Sequence, residues 1–532
     1  MNKLYFGDNL DMLARVGDDI VDLIYLDPPF NSQANYNLVF KSPSGHEVRA
    51  QRDAFEDFWQ WDRSAQLALQ RILATGLPIG RLLESLRQSV GDNSDVMAYL
   101  VMMSVRLLEL RRVLKPTGSI FLHCDPTASH YLKIIMDSIF GNQNFKNEII
   151  WHYRKWTTGK WTFQRNHDVI MFYSKSGSKE CVFNQLYMER AASTLKRFGN
   201  KRIISGHQGG RRVPSQMSED DSDGVRMDDV WHIGRVPPIK QIFPTQKPED
   251  LLERIILATT NEGDLVLDPF CGCGTAIVTA HGLKRQWIGI DIAYEAVMII
   301  EARLKGVYSG IKRKQDYIVE GEPKDDTAAK ALARDDPYAF QALALSLLRG
   351  QPHGRKEEIK RGGDRGIDGL IYFATGKNKT GFAIVSVKGT AKVNPEMIRE
   401  LSGTVSHEKA QLGIFVSLVQ ASAEMRAAAA ALPEVDLGGQ LHPRIQMFTV
   451  QQLMDGARVQ LPPVFDLSTL LNLPKALPIM RKVKPEQLRS QINMLLPIRG
   501  GVDKARPEFP LDMIEEVPRQ QRRSKTRSPR GG

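Results

Sequence analysis

Along the N-terminal part of the chain, short apolar runs alternate with apolar positions at helical spacing. KLYFGDNLDMLARV predicts a strand, a turn at Gly7-Asp8-Asn9 and a short helix. VDLIYL, from Val21, is a nearly continuous apolar run and predicts a buried strand. A polar, aromatic stretch, AFEDFWQWDRSAQ, follows. DVMAYLVMMSVRLLELRRVL then carries apolar residues at helical spacing, and Lys115-Pro116-Thr117-Gly118 stops it. SIFLHCD predicts a further strand and SHYLKIIMDSIFG a further helix. Strands alternating with helices predict a parallel, doubly wound α/β sheet.

Over residues 150–236 the pattern degrades into Arg, Lys, Gly, Ser and aromatics, as in WHYRKWTTGKWTFQRNHD. This composition fits a nucleic-acid-facing insertion and an irregular surface excursion equally well. Order returns at PTQKPEDLLERIILATT, a helix opened after Pro248. The strand DLVLDPF, a glycine turn, a helix and the strand QWIGIDI come next. Polar residues rich in Lys, Asp and Ala at 316–334 predict a linker. Beyond them, DPYAFQALALSLLRG and NPEMIRELSGTVSHEKA read as helices, and GIDGLIYF, GFAIVSVKG and LGIFVSL as strands. They make a second, smaller α/β unit at 335–475.

Composition narrows the class. A chain of 532 residues is too long for one core, so two or three domains are expected. No run of 18 apolar residues occurs and the N-terminus lacks a signal-peptide pattern, so a cytoplasmic protein without a membrane partner is expected. Four cysteines with no CxxC pair argue against a disulfide framework and against a zinc site. Lys plus Arg minus Asp plus Glu is 72 − 61 = +11, an excess that suits a polyanion. Part of it lies in RQQRRSKTRSPRGG (519–532), with six basic residues and no acid, which predicts a disordered tail.

Residues 264–292 carry the first chemical pattern. A strand ends at Asp268, Gly272 and Gly274 form a tight turn, a helix starts near Thr275, and a second strand ends on Asp291. Glycines let a ligand approach the backbone, and an acid at the tip of the next strand holds ribose hydroxyls. Phe270-Cys271-Gly272-Cys273-Gly274-Thr275 lacks the third glycine of a nicotinamide fingerprint, which weakens the dinucleotide reading and leaves S-adenosylmethionine as a good candidate.

Asp27-Pro28-Pro29-Phe30 ends a strand of the same predicted sheet. Two prolines fix the backbone and remove two N–H donors. What remains is a rigid rim of acceptors, the Asp27 carboxylate and the neighbouring carbonyls. Such a rim suits a group with two N–H donors, such as the exocyclic amine of a base. Phe30 offers a face on which a flipped base can stack.

These motifs resemble those of beta-class, amino-directed DNA methyltransferases. In that class a D/S/N-P-P-Y/F motif precedes the cofactor motif, with a target-recognition region between them. FGDNLDML resembles the family's N-terminal motif, which implies Asp8 near the cofactor. RVLKPTGSIFLH and HDVIMFYSK resemble the strand after the catalytic motif and a segment near the base pocket. FPTQKPEDLLERII implies Thr245 and Lys247 near the methionine end of the cofactor. The resemblance covers roughly residues 1–310. It implies a Rossmann-like fold with a catalytic part at 1–149, a target-recognition region at 150–236 and a cofactor-binding part at 237–315. It also implies double-stranded DNA as partner, a homodimer as one assembly, and a separate restriction endonuclease as a further partner. An acid at the head of the catalytic motif points to adenine rather than cytosine.

In the second unit, Asp368 starts one strand and Lys388 lies near the end of the next. Antiparallel pairing brings an acid and a lysine together, as a magnesium-dependent nuclease needs. GGDRGIDG and SVKG resemble the D…(E/Q)xK pattern of Mrr-type, restriction-endonuclease-like domains, implying Mg²⁺ at Asp368. Ser386 stands at the E/Q position, and Gln341 stands where many such nucleases have Glu. A cleaving domain and a domain that only binds DNA or a partner both stay open.

Overall fold

The computed structural model describes residues 1–29, 35–41, 47–56, 61–91, 94–154, 161, 163–188, 190, 192–204, 207–208, 211–212, 216–237, 241–242, 245–353, 366–376 and 379–464. Phe30 and the basic tail lie outside the described residues. Met1–Leu186 and the described part of Arg226–Leu495 belong to one compact unit, and Tyr187–Val225 to another. In the latter, Lys201–Ile204 pairs antiparallel with Gln216–Asp221.

Nine strands form the main sheet. From one edge their order is Val230–His232, Phe145–His152, His167–Ser174, Leu114–Cys124, Val21–Leu26, Leu265–Asp268, Gln286–Asp291, Asn2–Phe6 and Tyr317–Glu320. All neighbours pair in parallel except His167–Ser174, which is antiparallel to both strands beside it. The carboxyl ends of Val21–Leu26, Leu265–Asp268, Gln286–Asp291 and Asn2–Phe6 therefore lie side by side.

The central strands are fixed by burial. Leu23, Ile24, Leu26, Val266 and Leu267 are wholly enclosed, each contributing about 1.5–3 kcal/mol. Leu23 and Val266 belong to one core, and the helix Asp95–Val113 shares a separate one with Ile24, Leu26 and Leu267 through Met97, Leu100, Val101, Leu107 and Leu110. Ser94 caps it by accepting from the Met97 N–H at 3.2 Å.

Four features depart from the sequence pattern. The helix ends at Val113, but Lys115–Gly118 already lie inside the strand Leu114–Cys124, which was expected to begin at Ser119, at the point where the register against Val21–Leu26 shifts. The sheet is mixed, because His167–Ser174 returns antiparallel. Within 150–236, His167–Ser174 and Val230–His232 are sheet strands, and the separate unit comprises only Tyr187–Val225. Residues 316–334 are not an unstructured linker. Tyr317–Glu320 is the ninth strand, and Asp326–Asp335 is a helix capped by Asp325, which accepts from the Ala328 N–H at 2.8 Å. Ala329 and Ala333 are buried on its inner face, so the alanines that read as a flexible bridge are packing positions.

The C-terminal part carries a five-stranded sheet in the order Gln351–Pro352, Gly369–Gly376, Lys379–Lys388, Leu412–Ser417, Ile445–Thr449. The helix Pro337–Leu347 joins the two sheets. Ala339, Ala342 and Leu343 pack into the first core, and Phe340, Ala344 and Leu345 into the second. No described helix is long and apolar enough to cross a membrane.

Candidate active site

Four acids predicted from sequence collect at one end of the main sheet. Asp27 follows Val21–Leu26, Asp268 and Asp291 end the next two strands, and Asp8 follows Asn2–Phe6. Leu267 is in register with Ile24, Asp268 with Gly289 and Asp291 with Phe6. The Gly7 N–H donates to the Asp291 carbonyl at 2.9 Å. Parallel pairing alone thus assembles residues 283 positions apart, counted from Asp8 to Asp291 (291 − 8 = 283).

Lys247, in the segment leading into the helix Glu249–Thr259, donates to Asp27 Oδ2. It also donates to the half-buried Thr245 through that residue's carbonyl, at 3.4 Å. Asp27 Oδ1 is buried and accepts no hydrogen bond among the described residues. His123 Nδ1 stands 3.7 Å from it. Pro28 is buried and Pro29 partly so, with no cis bond at either.

The glycine turn is built around two left-handed residues, Gly272 (φ 48°) and Gly274 (φ 73°). A Cβ on Gly274 would lie 2.6 Å from Ile300 Cγ1, so glycine is required there for both backbone and space. The Gly274 N–H donates to the Cys271 carbonyl at 2.6 Å, and the Cys271 N–H to the Ile290 carbonyl at 3.1 Å. Cys271 and Cys273 are buried, and burial pushes the Cys271 thiol well up, so it is a packing residue rather than a nucleophile. The Gly272 N–H donates to Asp291 Oδ2 at 2.7 Å and the Ala293 N–H to Oδ1 at 2.9 Å. Burial nevertheless pushes the Asp291 carboxyl up to about 6. The Phe270 N–H donates to Asp268 Oδ1 at 3.1 Å. Asp268, only 3% exposed, is pushed well up by burial, with Asp27 and Asp291 adding to it.

Several site residues were not singled out from the sequence. Arg303 is buried and braces the turn, donating to the Cys273 carbonyl at 2.8 Å and to Thr275 Oγ1 at 3.3 Å. Arg106 grips Asp8 with two bonds, at 2.9 and 3.1 Å, and also donates to Asn9, whose amide donates to the Pro269 carbonyl at 2.9 Å. Behind Asp27, His123 meets Asp168, and Asp168 accepts from the Tyr153 hydroxyl at 2.8 Å. FLHCD was visible as a strand and HDVIMFYSK as a segment resembling one near the base pocket, but nothing along the chain links residues 45 positions apart.

In the C-terminal five-stranded sheet the predicted antiparallel pair is present, Gly369–Gly376 against Lys379–Lys388. Asp368 is buried. Its Oδ1 accepts from the Gln341 amide, and its Oδ2 from the Val387 N–H at 2.7 Å. Ser386 is buried and Lys388 half-buried, on either side of Val387. Both carboxylate oxygens are thus held by neutral donors. Among the described residues no group of three or more His, Cys, Asp or Glu side chains is placed to hold a metal ion. Among the described residues this donor set does not make a magnesium site.

Comparison with known proteins places these features in a family. A model described as DNA methylase matches residues 21–302, and one described as restriction endonuclease matches 332–440. The type II methyltransferase M.HpaI of Haemophilus parainfluenzae is 32% identical over 224 residues, 41% of this chain and 63% of that enzyme. M.BglII of Bacillus subtilis is 26% identical over 316 residues, 58% of this chain and 69% of that enzyme. M.BamHI of Bacillus amyloliquefaciens is 26% identical over 310 residues, 57% of each. The chain thus spans between 57% and 69% of the length of these relatives. With the methylase match covering more than half of its 532 residues, the chain belongs to the N6/N4 DNA methylase family and carries a restriction-endonuclease-like domain after it.

Proposed function

We propose that this protein transfers a methyl group from S-adenosylmethionine to the exocyclic amine of adenine at specific sites in double-stranded DNA. The observation that carries the reading is the catalytic carboxylate: Lys247 holds Oδ2, while Oδ1 is buried and accepts no hydrogen bond among the described residues. A buried acceptor of this kind is costly unless a donor arrives.

The residues of the turn fit the cofactor. Gly274 leaves a backbone cradle that a Cβ would close, against Ile300. Asp268 and Asp291 have carboxyls that burial pushes up, so a cation and hydroxyl donors would favour their ionised forms. Asp291 would take ribose hydroxyls, and Asp268 with the Phe270 to Thr275 backbone would line the adenosine and methionine portions. The bound cofactor supplies a sulfonium methyl that is already activated.

The chain's own part is alignment. One amine hydrogen donates to Asp27 Oδ1 and the other to the carbonyl rim at Pro28. Both bonds draw the lone pair out of conjugation with the ring and fix it toward the methyl. Pro28 and Pro29 keep the rim rigid, and Phe30 supplies the stacking face for the flipped base. Orientation and electrostatics do the work, with no covalent enzyme intermediate. The adenine assignment rests on Asp27 at the head of the motif, and the DNA partner on the methylase match and the net charge of +11.

The test uses purified protein, cofactor labelled in the methyl group, and unmethylated duplex DNA digested to nucleosides after reaction. Label in N6-methyladenine is expected. Label in methylcytosine would overturn the base assignment, and unlabelled DNA would overturn the activity.

A further inference from the structure

The environment of His123 points beyond this alignment to the fate of a proton, a role that rests on the proposed methyl transfer. His123 is fully buried at the end of Leu114–Cys124. Its Nε2 lies 3.3 Å from Asp168 Oδ2, its Nδ1 3.0 Å from the Tyr25 hydroxyl and 3.7 Å from Asp27 Oδ1. Trp151 packs edge-on to the ring at 5.5 Å. Burial pushes Asp168 up, but bonds from His123 and Tyr153 and the charge of Lys247 outweigh it and hold the carboxyl below its usual range. An ionised carboxylate only accepts hydrogen bonds, so the ring proton of neutral His123 sits on Nε2. The Nδ1 lone pair then accepts from the Tyr25 hydroxyl at 3.0 Å and faces Asp27 Oδ1 at 3.7 Å, so the Tyr25 hydroxyl must turn aside when Nδ1 takes a proton. An acid that fixes the tautomer of an imidazole, with the basic nitrogen turned to the reacting side, is the arrangement of a proton acceptor.

The chemistry needs one. Methyl transfer to a neutral amine leaves a methylated ammonium, which must lose one proton per turnover. We infer that His123, oriented by Asp168, takes that proton through Asp27. One N–H bond of the ammonium breaks and an O–H bond forms on Asp27 Oδ1. That O–H bond then breaks as an Nδ1–H bond forms on His123. The imidazolium stands between two carboxylates, and Asp27 is again an anion. When the methylated base leaves, the proton returns through Asp27 to water. No oxidant or further reactant is required.

His123 and Asp168 are therefore positioning and proton-handling residues that act through Asp27. Among the described residues, the titratable groups facing the ring include Tyr25, Asp27 and Asp168, with Tyr153 behind Asp168 and Lys247 behind Asp27. Protonation of His123 removes the acceptor, so kcat falls as pH falls. Replacing Asp168 by a neutral amide weakens the imidazolium, so that fall moves to lower pH and the rate at neutral pH drops.

The experiment is the pH dependence of single-turnover methylation from about pH 8 to pH 5 for the wild type, His123→Gln and Asp168→Asn. S-adenosylmethionine affinity serves as the control for folding. The expected results are a loss of about tenfold or more in rate for His123→Gln and a displaced acid limb for Asp168→Asn, with cofactor affinity kept. Wild-type rates and an unmoved limb in variants that still bind cofactor would overturn the inference and leave the methyl transfer standing. A wild-type protein that transfers no methyl would overturn the parent reading itself. If His123→Gln loses cofactor binding, the acid limb of Asp168→Asn decides: displaced, it supports the inference, and unmoved, it overturns it.

Discussion

The ammonium of Lys247 pairs with the carboxylate of Asp27 across 220 positions of sequence, and both side chains are largely buried. Sequence resemblance assigned Lys247 to the methionine end of the cofactor. Under the proposed activity, the pairing would give it a direct role in orienting Asp27, because it leaves Oδ1 as the oxygen to be presented to the base.

Replacing Lys247 by Met removes the ammonium and leaves a buried carboxylate facing an apolar chain. The expected cost is about 3 kcal/mol of stability, read as a lower melting temperature. The methylation rate should fall by about tenfold or more through a misdirected Asp27. A variant with wild-type melting and wild-type rate would show that the pair does neither.

Gly274→Ala meets two obstacles, a left-handed φ of 73° and a Cβ 2.6 Å from Ile300 Cγ1. The resulting strain is about 1–3 kcal/mol, concentrated in the turn that would cradle the cofactor. Calorimetry should show cofactor affinity reduced by about tenfold or more. Adding Ile300→Ala relieves the overlap but not the φ, so it should restore only part of the loss.

Asp291 gives the cofactor a pH dependence. Its carboxyl is pushed up to about 6, burial being the largest cause. If the ionised form accepts ribose hydroxyls, affinity rises as pH climbs toward 6 and levels off above it. The sign for folding is opposite. A folded-state value above the unfolded one favours the native state at low pH, and that contribution is lost as pH rises from about 4 to about 6. Asp291→Asn should flatten the affinity profile between pH 5 and pH 7, estimated as about one unit on either side of the transition, and should not lower apo stability at neutral pH.

In the second unit, Gln341 and the Val387 N–H occupy both oxygens of Asp368. Millimolar Mg²⁺ should leave the melting temperature unchanged and supercoiled DNA uncut. Gln341→Glu replaces a donor by a second carboxylate and should create a Mg²⁺-dependent rise in melting temperature. A magnesium shift in the wild type would contradict this view of the site.

The glycine turn and the Asp-Pro-Pro-Phe motif were legible because each packs its chemistry into a few adjacent residues at a strand end. Val21–Leu26, Leu265–Asp268 and Gln286–Asp291 were legible as apolar runs, whereas His167–Ser174, Val230–His232 and Tyr317–Glu320 were not. His123, Asp168 and Tyr153 were not, because they meet through the antiparallel pairing of His167–Ser174 with Leu114–Cys124 on one side and Phe145–His152 on the other. Each looks ordinary within its own strand. Arg106 and Arg303 were hidden for the opposite reason: on amphipathic helices an arginine reads as a solvent-facing residue, yet both are buried against turns. The helix Asp326–Asp335 reads as linker because its polar face dominates the composition, while Ala329 and Ala333 are buried and Leu332 packs partly buried against the core.

The most direct test of the central claim is methylation mapping in a bacterial host free of DNA methylation, comparing the wild-type protein with Asp27→Ala. The account predicts N6-methyladenine confined to one sequence motif in the wild type and absent from the variant. An unmodified genome in both strains, or modification that survives Asp27→Ala, would contradict it.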